Sequence, residues 1–240
     1  MLNVKDLTTR YGLVQALHEV NVEVRRGEIV TLIGANGAGK STLLQHMNGY
    51  LMPTSGSITI GDLILTAKTR REIRKKVGIV FQNPDDQLFM PTVFDDVAFG
   101  PLNLGMDEAA VRERVMKALC MVDSLALQDK PPHHLSSGQK SAVAIASVMA
   151  MGPDILAMDE PAANLDPRSR RSLITLLKTF KHSKIIASHD LDLILDVCER
   201  CIVIGGGAVV ADGPSAEILS NKPLLEENNL ELPLSFQGRP

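Results

Sequence analysis

The sequence contains few cysteines and no long apolar run, and these two absences exclude several classes of protein. The cysteines Cys120, Cys198 and Cys201 are an odd and sparse set among 240 residues, which argues against a disulfide framework. No uninterrupted apolar run approaches the roughly 18 residues that a membrane span requires, and the N-terminus lacks the pattern of a secretory signal peptide. We therefore expect a cytoplasmic protein.

A large excess of charge is also missing. The 25 basic and 28 acidic side chains give a net charge of −3 and a pI near 6.1. The chain therefore has no general electrostatic attraction for nucleic acid or anionic lipid. Hydrophobic residues make up 45% of the sequence and charged residues 22%, which is typical of a globular protein. A chain of 240 residues is long enough for one large domain, with or without an inserted subdomain.

The most informative stretch is residues 34–42, which read GANGAGKST. They lie between a buried apolar run, Ile29 to Ile33, and a helical stretch, Ser41 to Gly49. They fit a motif in which a glycine is followed, after four residues, by Gly-Lys-Ser. Between a strand and a helix this motif is typical of a phosphate-binding loop. The alternative, a glycine-rich turn that binds nothing, explains the glycines but leaves the Gly-Lys-Ser ending unexplained.

Each residue type in this loop has a chemical reason to be there. Gly34, Gly37 and Gly39 permit backbone angles that let successive N–H groups converge on one anion, assisted by the positive end of the following helix. Lys40 supplies a cation for the β- and γ-phosphates, and the Ser41 hydroxyl supplies a magnesium ligand.

Two carboxylates follow a second buried run, Ile155 to Met158. Four apolar residues predict a central parallel strand, whose C-terminal end is where open α/β sheets place their ligands. Asp159 is suited to hold a magnesium complex, and Glu160 to accept a proton from an attacking water. In isolation, the pair is equally well explained as two solvated acids at a strand end.

Polar side chains also follow two other apolar runs. Gln82 comes after Val77 to Phe81, and its amide oxygen can reach a metal or a water. His189 follows Ile185 to Ala187 and its neighbour Ser188, in a position to bond a γ-phosphate. Each of the two residues, taken alone, is also explained as an ordinary loop residue.

A second predicted anion site lies about 100 residues after the first. Ser136 and Gly138 precede an apolar helix, Ala142 to Met151, so their N–H groups lie at a helix N-terminus. One phosphate chain needs only one loop. We therefore expect the second site to close over a nucleotide bound by another copy of the chain.

Three further features each have two interpretations. Tyr11 can stack on a nucleobase or pack in a turn. His133 and His134 can bind a metal or be structural loop residues. Cys198 and Cys201 have the spacing of a redox or zinc pair, but no second pair accompanies them, so half-buried packing residues are the alternative.

Together these stretches resemble the ATP-binding-cassette (ABC) ATPase family over nearly the full length. In that family Tyr11 matches the adenine-stacking residue, residues 34–42 match Walker A and Gln82 matches the Q-loop. The other matching motifs are the LSSGQ signature at 135–139, Walker B at 155–161, the D-loop at Asn164 to Asp166 and the switch histidine His189.

The resemblance implies ATP and Mg²⁺ as cofactors, with two ATP molecules held head to tail between two chains. It implies Glu160, His189 and Gln82 as catalytic residues and Ser41, Gln82 and Asp159 as magnesium ligands. The nucleotide-binding residues that it implies are Tyr11, Gly34, Asn36, Gly37, Ala38, Gly39, Lys40, Ser41, Thr42, Ser136, Gly138, Gln139 and Asp166.

The fold implied is α/β: a phosphate-loop NTPase (RecA-like) core with an antiparallel β subdomain and an inserted helical subdomain. All of 1–240 would form a single ABC ATPase domain. Residues 1–90 and 153–240 would form the nucleotide-binding core with its antiparallel subdomain, and 91–152 the helical signature subdomain.

Shorter strings resemble the cobalt/nickel and energy-coupling-factor importers: FQNPDDQLF, PPHHLSSGQK and the tail Leu230 to Pro233. This implies an ATPase, peripheral to the cytoplasmic face of the membrane, that pairs with a second ATPase subunit and contacts transmembrane subunits through about 85–105. The alternatives are another ABC importer (for a vitamin, for example), an exporter, or a non-transport ATPase of DNA repair or translation. The non-transport enzymes usually carry coiled coils, tandem cassettes or basic surfaces, which this sequence lacks.

The contact region and the signature carry further expectations. An exposed-looking apolar set follows the Q-loop: Leu88, Phe89, Met90, Val93 and Phe94. Asp85 and Asp86 are candidates to receive arginines from the membrane partner. Ser137 replaces the first glycine of the family's LSGGQ, and Ser141-Ala142 stand where Gln-Arg is usual. We expect these departures to alter affinity or rate without abolishing function.

Overall fold

The structure is a computed structural model that describes residues 1–163, 165–180 and 182–237. The strands are β1 (Leu2–Tyr11), β2 (Val14–Val24), β3 (Ile29–Ile33), β4 (Ser55–Ile60), β5 (Leu63–Ile64), β6 (Val77–Val80), β7 (Ile155–Asp159), β8 (Ser183–Ala187), β9 (Arg200–Gly205) and β10 (Ala208–Pro214). The α-helices are α1 (Lys40–Met47), α2 (Arg70–Lys76), α3 (Val93–Asn103), α4 (Glu108–Met121), α5 (Ser137–Ala150), α6 (Pro167–Thr179), α7 (Leu191–Val197), α8 (Ser215–Ser220) and α9 (Lys222–Glu227).

The first sheet is antiparallel and has the strand order β2-β1-β4-β5. Along β1 the buried residues Leu2, Val4 and Leu7 face one side, while most residues between them are exposed. Successive side chains of a strand point to opposite faces, which places Leu2 and Val4 together. The irregularity between Val4 and Leu7, where Asp6 has φ +50°, returns Leu7 to the same covered face. The antiparallel sheet that the family resemblance implies is therefore confirmed.

The second sheet has the order β10-β9-β3-β8-β7-β6, and its pairings are parallel except for the β9–β10 hairpin. Its central strands are buried on both faces, which explains their continuous apolar sequences. Along β7, Ile155 and Ala157 face the core shared with the antiparallel sheet, whereas Leu156 and Met158 face the core shared with the helices.

Helices α3, α4 and α5 pack on one another and on the second of these cores. The Asp107 side chain accepts the N–H of Ala110 and so caps α4. At α5, Ser136 and Gln139 form a reciprocal capping box. These caps fix where the two helices begin.

The parallel strand order determines where the candidate functional residues lie. The strands β3, β6, β7 and β8 run in the same direction, so the residues after them emerge at one edge of the sheet. The segments at this edge are the loop of 34–42, Gln82, the Asp159–Glu160 pair and His189. Within the described residues, no helix is both long and apolar enough to cross a membrane. The α/β fold, with an antiparallel sheet, a largely parallel sheet and a helical layer, agrees with the prediction.

Candidate functional site

The loop of 34–42 joins β3 to α1, and its three predicted glycines all have positive φ. A Cβ added to Gly34 would lie 2.2 Å from the carbonyl oxygen of Ile204, and one added to Gly39 would lie 2.8 Å from a Leu17 methyl. A Cβ on Gly37 would meet no heavy atom within 4 Å. Packing therefore requires glycine at the two ends of the loop, and Gly37, at φ +80°, faces open space.

Lys40 begins α1 and is almost fully buried at the centre of this loop. Its Nζ donates to the carbonyl oxygens of Gly34, at 2.7 Å, and Ala35, at 3.1 Å. Burial lowers the pKa of Lys40, and the nearby carboxylates of Glu160 and Asp159 act in the opposite direction. The loop thus holds an ammonium group within the field of both acids.

Asp159 is the last residue of β7 and is buried. Burial raises its pKa, while hydrogen bonding from the Ser41 side chain opposes the rise. Among the described residues, no group hydrogen-bonds to Asp159 Oδ1, although the atom is buried. An unpartnered carboxylate oxygen beside a hydroxyl is the type of hard oxygen donor set that Mg²⁺ prefers, so Ser41 and Asp159 fit the predicted metal.

Glu160 and His189 form a close pair at the ends of β7 and β8. The Oε2 atom of Glu160 lies 2.8 Å from Nδ1 of His189 and accepts the His189 backbone N–H at 3.2 Å. Glu160 has φ +48°, and its backbone N–H donates to Ala187 at 2.8 Å. The Glu160 side chain is 9% exposed and that of His189 is 65% exposed, so one end of the pair is fixed in the protein and the other faces solvent.

The signature residues at the start of α5 contact the start of α6. Ser136 Oγ accepts the Gln139 N–H, while Gln139 Oε1 accepts the Ser136 N–H. A Cβ on Gly138 would lie 2.2 Å from Ser169 Oγ, and that hydroxyl donates to Asp166 Oδ2 at 2.6 Å. The structure therefore brings the predicted signature residues together with Asp166 of the same chain. It also gives Gly138 a packing reason to be glycine.

Tyr11 ends β1 beside the loop and is 50% exposed. It pairs across the hairpin with Val14. Two residues further along β2, the carbonyl oxygen of Ala16 approaches Gly39 so closely that a Cβ there would lie 3.0 Å from it. The β2 strand thus passes next to the loop of 34–42, and the exposed Tyr11 ring lies at the nearby end of the hairpin.

Gln82 is not brought into a hydrogen bond with the other site residues. It follows β6 and is exposed, and in the described part of the chain its side chain makes no hydrogen bond. Asn164, predicted as part of the D-loop, lies outside the described residues.

Sequence reasoning missed Gln87, which the structure places in a connecting role. Its Oε1 accepts the N–H of Phe81 at 3.2 Å, and its Nε2 donates to Ala144 O at 2.7 Å and Ser147 Oγ at 2.9 Å. Gln87 therefore ties the end of β6 to the middle of α5. Nothing in the local sequence distinguishes it from an ordinary loop glutamine.

Of the five apolar residues after Gln82 that were expected to be exposed, Phe89 alone is exposed, so the expectation is wrong for the other four. Leu88 is 7% exposed and lies in the helical core, and Val93 is fully buried because the first turn of α3 packs into that core. Met90 and Phe94 are half-buried. Phe89 is 63% exposed and contacts Phe99 edge-to-face at 5.0 Å between ring centroids. Leu102, also on α3, is exposed as well, so these three side chains form an exposed apolar surface.

Cys198 and Cys201 are fully buried, so the expectation of half-buried residues underestimated their burial. Burial raises the pKa of each thiol to about 12, which keeps both protonated at neutral pH. His133 and His134 are exposed and contact each other edge-to-face, with 4.4 Å between the ring centroids. No group of three or more metal-binding side chains occurs in the described ranges. The packing interpretation of the cysteines thus has structural support.

Comparison with known proteins gives consistent matches. The family model described as ABC transporter matches residues 17–163. The energy-coupling factor transporter ATP-binding protein EcfA1 of Methanospirillum hungatei is 44% identical over 239 residues, covering 98% of this chain and 86% of its own length.

Solved structures agree with this result. The structure of cbiO1 from Clostridium perfringens, described as part of the ABC transporter complex cbiONQ, has a TM-score of 0.83 at 39% identity and covers 95% of this chain and 94% of its own. The dimeric ATP-binding cassette MJ0796, bound to ADP and Pi, has a TM-score of 0.81 at 28% identity and covers 90% and 99%. The chain belongs to the ABC transporter ATP-binding family.

Proposed function

We propose that this protein hydrolyses ATP to power an ABC importer of the energy-coupling-factor type that carries cobalt or nickel ions. The observation that carries the ATPase part is the 2.8 Å contact between Glu160 and His189, beside the buried Lys40 and Asp159. The importer class is supported by the identity with EcfA1, the similarity to cbiO1 and the sequence resemblance described above.

The nucleotide would bind along the edge of the second sheet. Tyr11 would stack on the adenine, and the N–H groups of the loop, with Gly37 at its open side, would surround the phosphates. The Lys40 ammonium would exchange its carbonyl partners for phosphate oxygens. Ser41 and Asp159 would hold Mg²⁺, with Gln82 as a further ligand, and the ion would supply charge neutralisation at the phosphates.

Glu160 would act as the general base. Its carboxylate accepts a proton from the water that attacks the γ-phosphate, and its position is fixed by the backbone N–H and the ring of His189. Because the histidine side chain is largely exposed, it can bond the γ-phosphate while it also contacts the base. Removal of the γ-phosphate would then break a hydrogen bond of His189 and alter the contact between His189 and Glu160.

A second copy of the chain would complete each site. Ser136, Gly138 and Gln139 place the N-terminus of α5, a source of free N–H groups, at a protein surface next to Asp166. Supplied by the partner, these residues would cover the phosphates. The MJ0796 cassette is a dimer bound to ADP and Pi, and this supports the same arrangement here.

The membrane subunits would contact residues 85–105, with Phe89, Phe99 and Leu102 as the apolar part of the surface. Asp85 already forms an ion pair with Lys140 at 2.7 Å, whereas Asp86 Oδ1 accepts a hydrogen bond from the neutral Asn83 amide at 3.3 Å. An arginine from the partner would therefore compete with another cation at Asp85 but with only a neutral donor at Asp86. We also propose the division into a core of 1–90 and 153–240 and a helical subdomain of 91–152. The assembly would lie at the cytoplasmic face of the membrane.

The function is tested in two steps. Purified protein should release phosphate from ATP, and Lys40→Ala should weaken ATP binding by at least about tenfold, because one ammonium–phosphate contact is lost. Unchanged ATP affinity in that variant would remove the phosphate-loop assignment. A complex reconstituted with its membrane subunits should take up radioactive cobalt or nickel only with ATP, and uptake of neither ion would refute the cargo assignment.

A further inference from the structure

A bidentate ion pair joins α6 to the segment that carries His189. Arg170 donates from Nε to Asp190 Oδ2 at 2.6 Å and from Nη2 to Asp190 Oδ1 at 2.9 Å. The two side chains are 29% and 28% exposed. Two parallel N–H···O bonds fix relative orientation as well as distance, which a single ammonium group cannot do.

Asp190 holds the chain in place immediately after the switch histidine. Its Oδ1 also accepts the N–H of Leu193 at 2.9 Å, so it is the cap of α7. Its backbone N–H donates to Ser188 Oγ at 3.1 Å. The peptide that carries His189 is therefore held on both sides by contacts of its neighbours.

The other partner of the ion pair lies one turn beyond Asp166. Asp166 caps α6 by accepting the N–H groups of Arg168 and Ser169, at 2.9 and 3.1 Å. The Arg170 N–H donates to Asp166 O at 2.9 Å. A displacement of the Asp166 segment would therefore move the Arg170 guanidinium as part of the same helical turn.

We propose that Arg170 is a positioning residue for ATP hydrolysis: through Asp190 it holds His189 against Glu160 and connects that pair to the segment around Asp166. This inference rests on the proposed function, since it assigns a role relative to the proposed base and the proposed dimer-facing segment. Closure of two copies would place Asp166 at the interface, and the ion pair would transmit that closure to the His189–Glu160 contact.

The electrostatics agree with an orienting role. Hydrogen bonding with Asp190 raises the pKa of Arg170. Burial acts to raise the pKa of Asp190, but the hydrogen bonds from Arg170 and Leu193 outweigh it and lower that pKa. Both groups are charged at neutral pH. A pair exposed to this extent contributes little to global stability, so its removal should affect geometry more than folding.

The test compares Arg170→Ala and Arg170→Lys with Arg171→Ala. Arg171 is the next residue on α6, is exposed, and makes no side-chain hydrogen bond to any described residue. Arg170→Ala should lower kcat for ATP by about 3- to 30-fold while KM and the melting temperature change little. Arg170→Lys should recover part of the loss, and Arg171→Ala should match the wild type.

Asp190→Asn tests the other partner of the ion pair, because asparagine preserves the α7 cap but carries no charge. If the two residues act as a pair, the double variant Arg170→Ala/Asp190→Asn should be no slower than the Arg170→Ala variant. Losses that multiply in the double variant would overturn the proposal. Three other results would also overturn it. These are an unchanged kcat in Arg170→Ala, an equal loss of kcat in Arg171→Ala, and an effect of Arg170→Ala on KM or the melting temperature in place of kcat.

The failure of this inference is distinguishable from failure of the proposed function. If the wild type hydrolyses ATP and Glu160→Gln does not, an unaffected Arg170→Ala overturns the positioning role alone. If Glu160→Gln keeps the wild-type rate, the proposed base is wrong, and the positioning role falls with it.

Discussion

Replacement of Glu160 by glutamine isolates the proposed chemical step, because it changes charge with little change in shape. The glutamine amide oxygen can still accept the His189 backbone N–H that Glu160 Oε2 accepts at 3.2 Å. Both residue types meet the same backbone constraint at φ +48°, so the substitution adds no new strain there. What is lost is the capacity to take a proton from water.

The expected size of the effect follows from that loss. General-base catalysis contributes roughly 10²- to 10⁴-fold in rate, which corresponds to about 3 to 5 kcal/mol of activation free energy. The Glu160 side chain is 9% exposed, so solvent cannot readily replace it as proton acceptor in a fixed position. We therefore expect phosphate release to fall by this factor while ATP affinity stays within a few-fold of the wild type.

The assay is single-turnover phosphate release with enzyme in excess over ATP, together with calorimetric titration of ATP. Glu217→Gln is a matched control, because this residue lies in the first turn of α8, away from the site. A Glu160→Gln variant that releases phosphate at the wild-type rate would show that another group is the base. Loss of ATP binding in the same variant would show that the substitution disturbs the loop instead of the chemistry.

Three other predictions test the framework of the site. Gln87→Ala should lower the free energy of unfolding in urea by about 1 to 3 kcal/mol, because three hydrogen bonds between the end of β6 and α5 are lost and the Phe81 N–H loses its acceptor. Gln82→Ala should leave stability unchanged and slow hydrolysis, and the reverse result would contradict both assignments. Gly56→Ala should lower the free energy of unfolding by at least about 1 kcal/mol more than Gly61→Ala does. Both residues have positive φ, but only at Gly56 would the new Cβ lie 2.3 Å from a carbonyl oxygen, and equal melting temperatures would refute the packing argument. Burial lowers the pKa of His46 in the folded state. Its contribution to the free energy of unfolding is therefore fully present above the unfolded-state pKa near 6.5 and is lost as the pH falls through the folded-state pKa, at up to about 1.4 kcal/mol per pH unit. His46→Gln should abolish that part of the pH dependence, and an unchanged slope between pH 7 and 5 would exclude His46 as its source.

The sequence was sufficient to predict the strands that carry the site. The apolar runs around Ile29 and Ile155 have no polar alternation, as expected when both faces of a strand are covered, and both are central strands. The Asp107 cap was also predictable, because capping depends on a few adjacent residues. Local physical chemistry is therefore enough where the determining contacts are local in sequence.

Other features depend on contacts between distant segments. Val93 is fully buried because α3 packs against α5, whereas Phe89, which precedes α3, is exposed. The local sequence does not indicate which of the two apolar residues the helices cover. The same is true of Gln87, whose partners include residues 57 and 60 positions away, and of the Arg170–Asp190 pair, separated by 20 positions. Periodicity and residue type cannot indicate such pairs before the topology is known.

The glycines of the loop show why a motif and its function must be argued separately. Glycine at Gly34 and Gly39 is required by the approach of other segments, whatever the loop binds, so a loss of activity on substituting either one would not distinguish binding from folding. Lys40 is different, because a buried ammonium group costs free energy that two carbonyl contacts offset only in part. One sheet edge holds a buried cation, a buried carboxylate oxygen to which no described residue hydrogen-bonds, and a fixed carboxylate–imidazole pair. The proposed polyanionic ligand with its metal ion would account for all three features together.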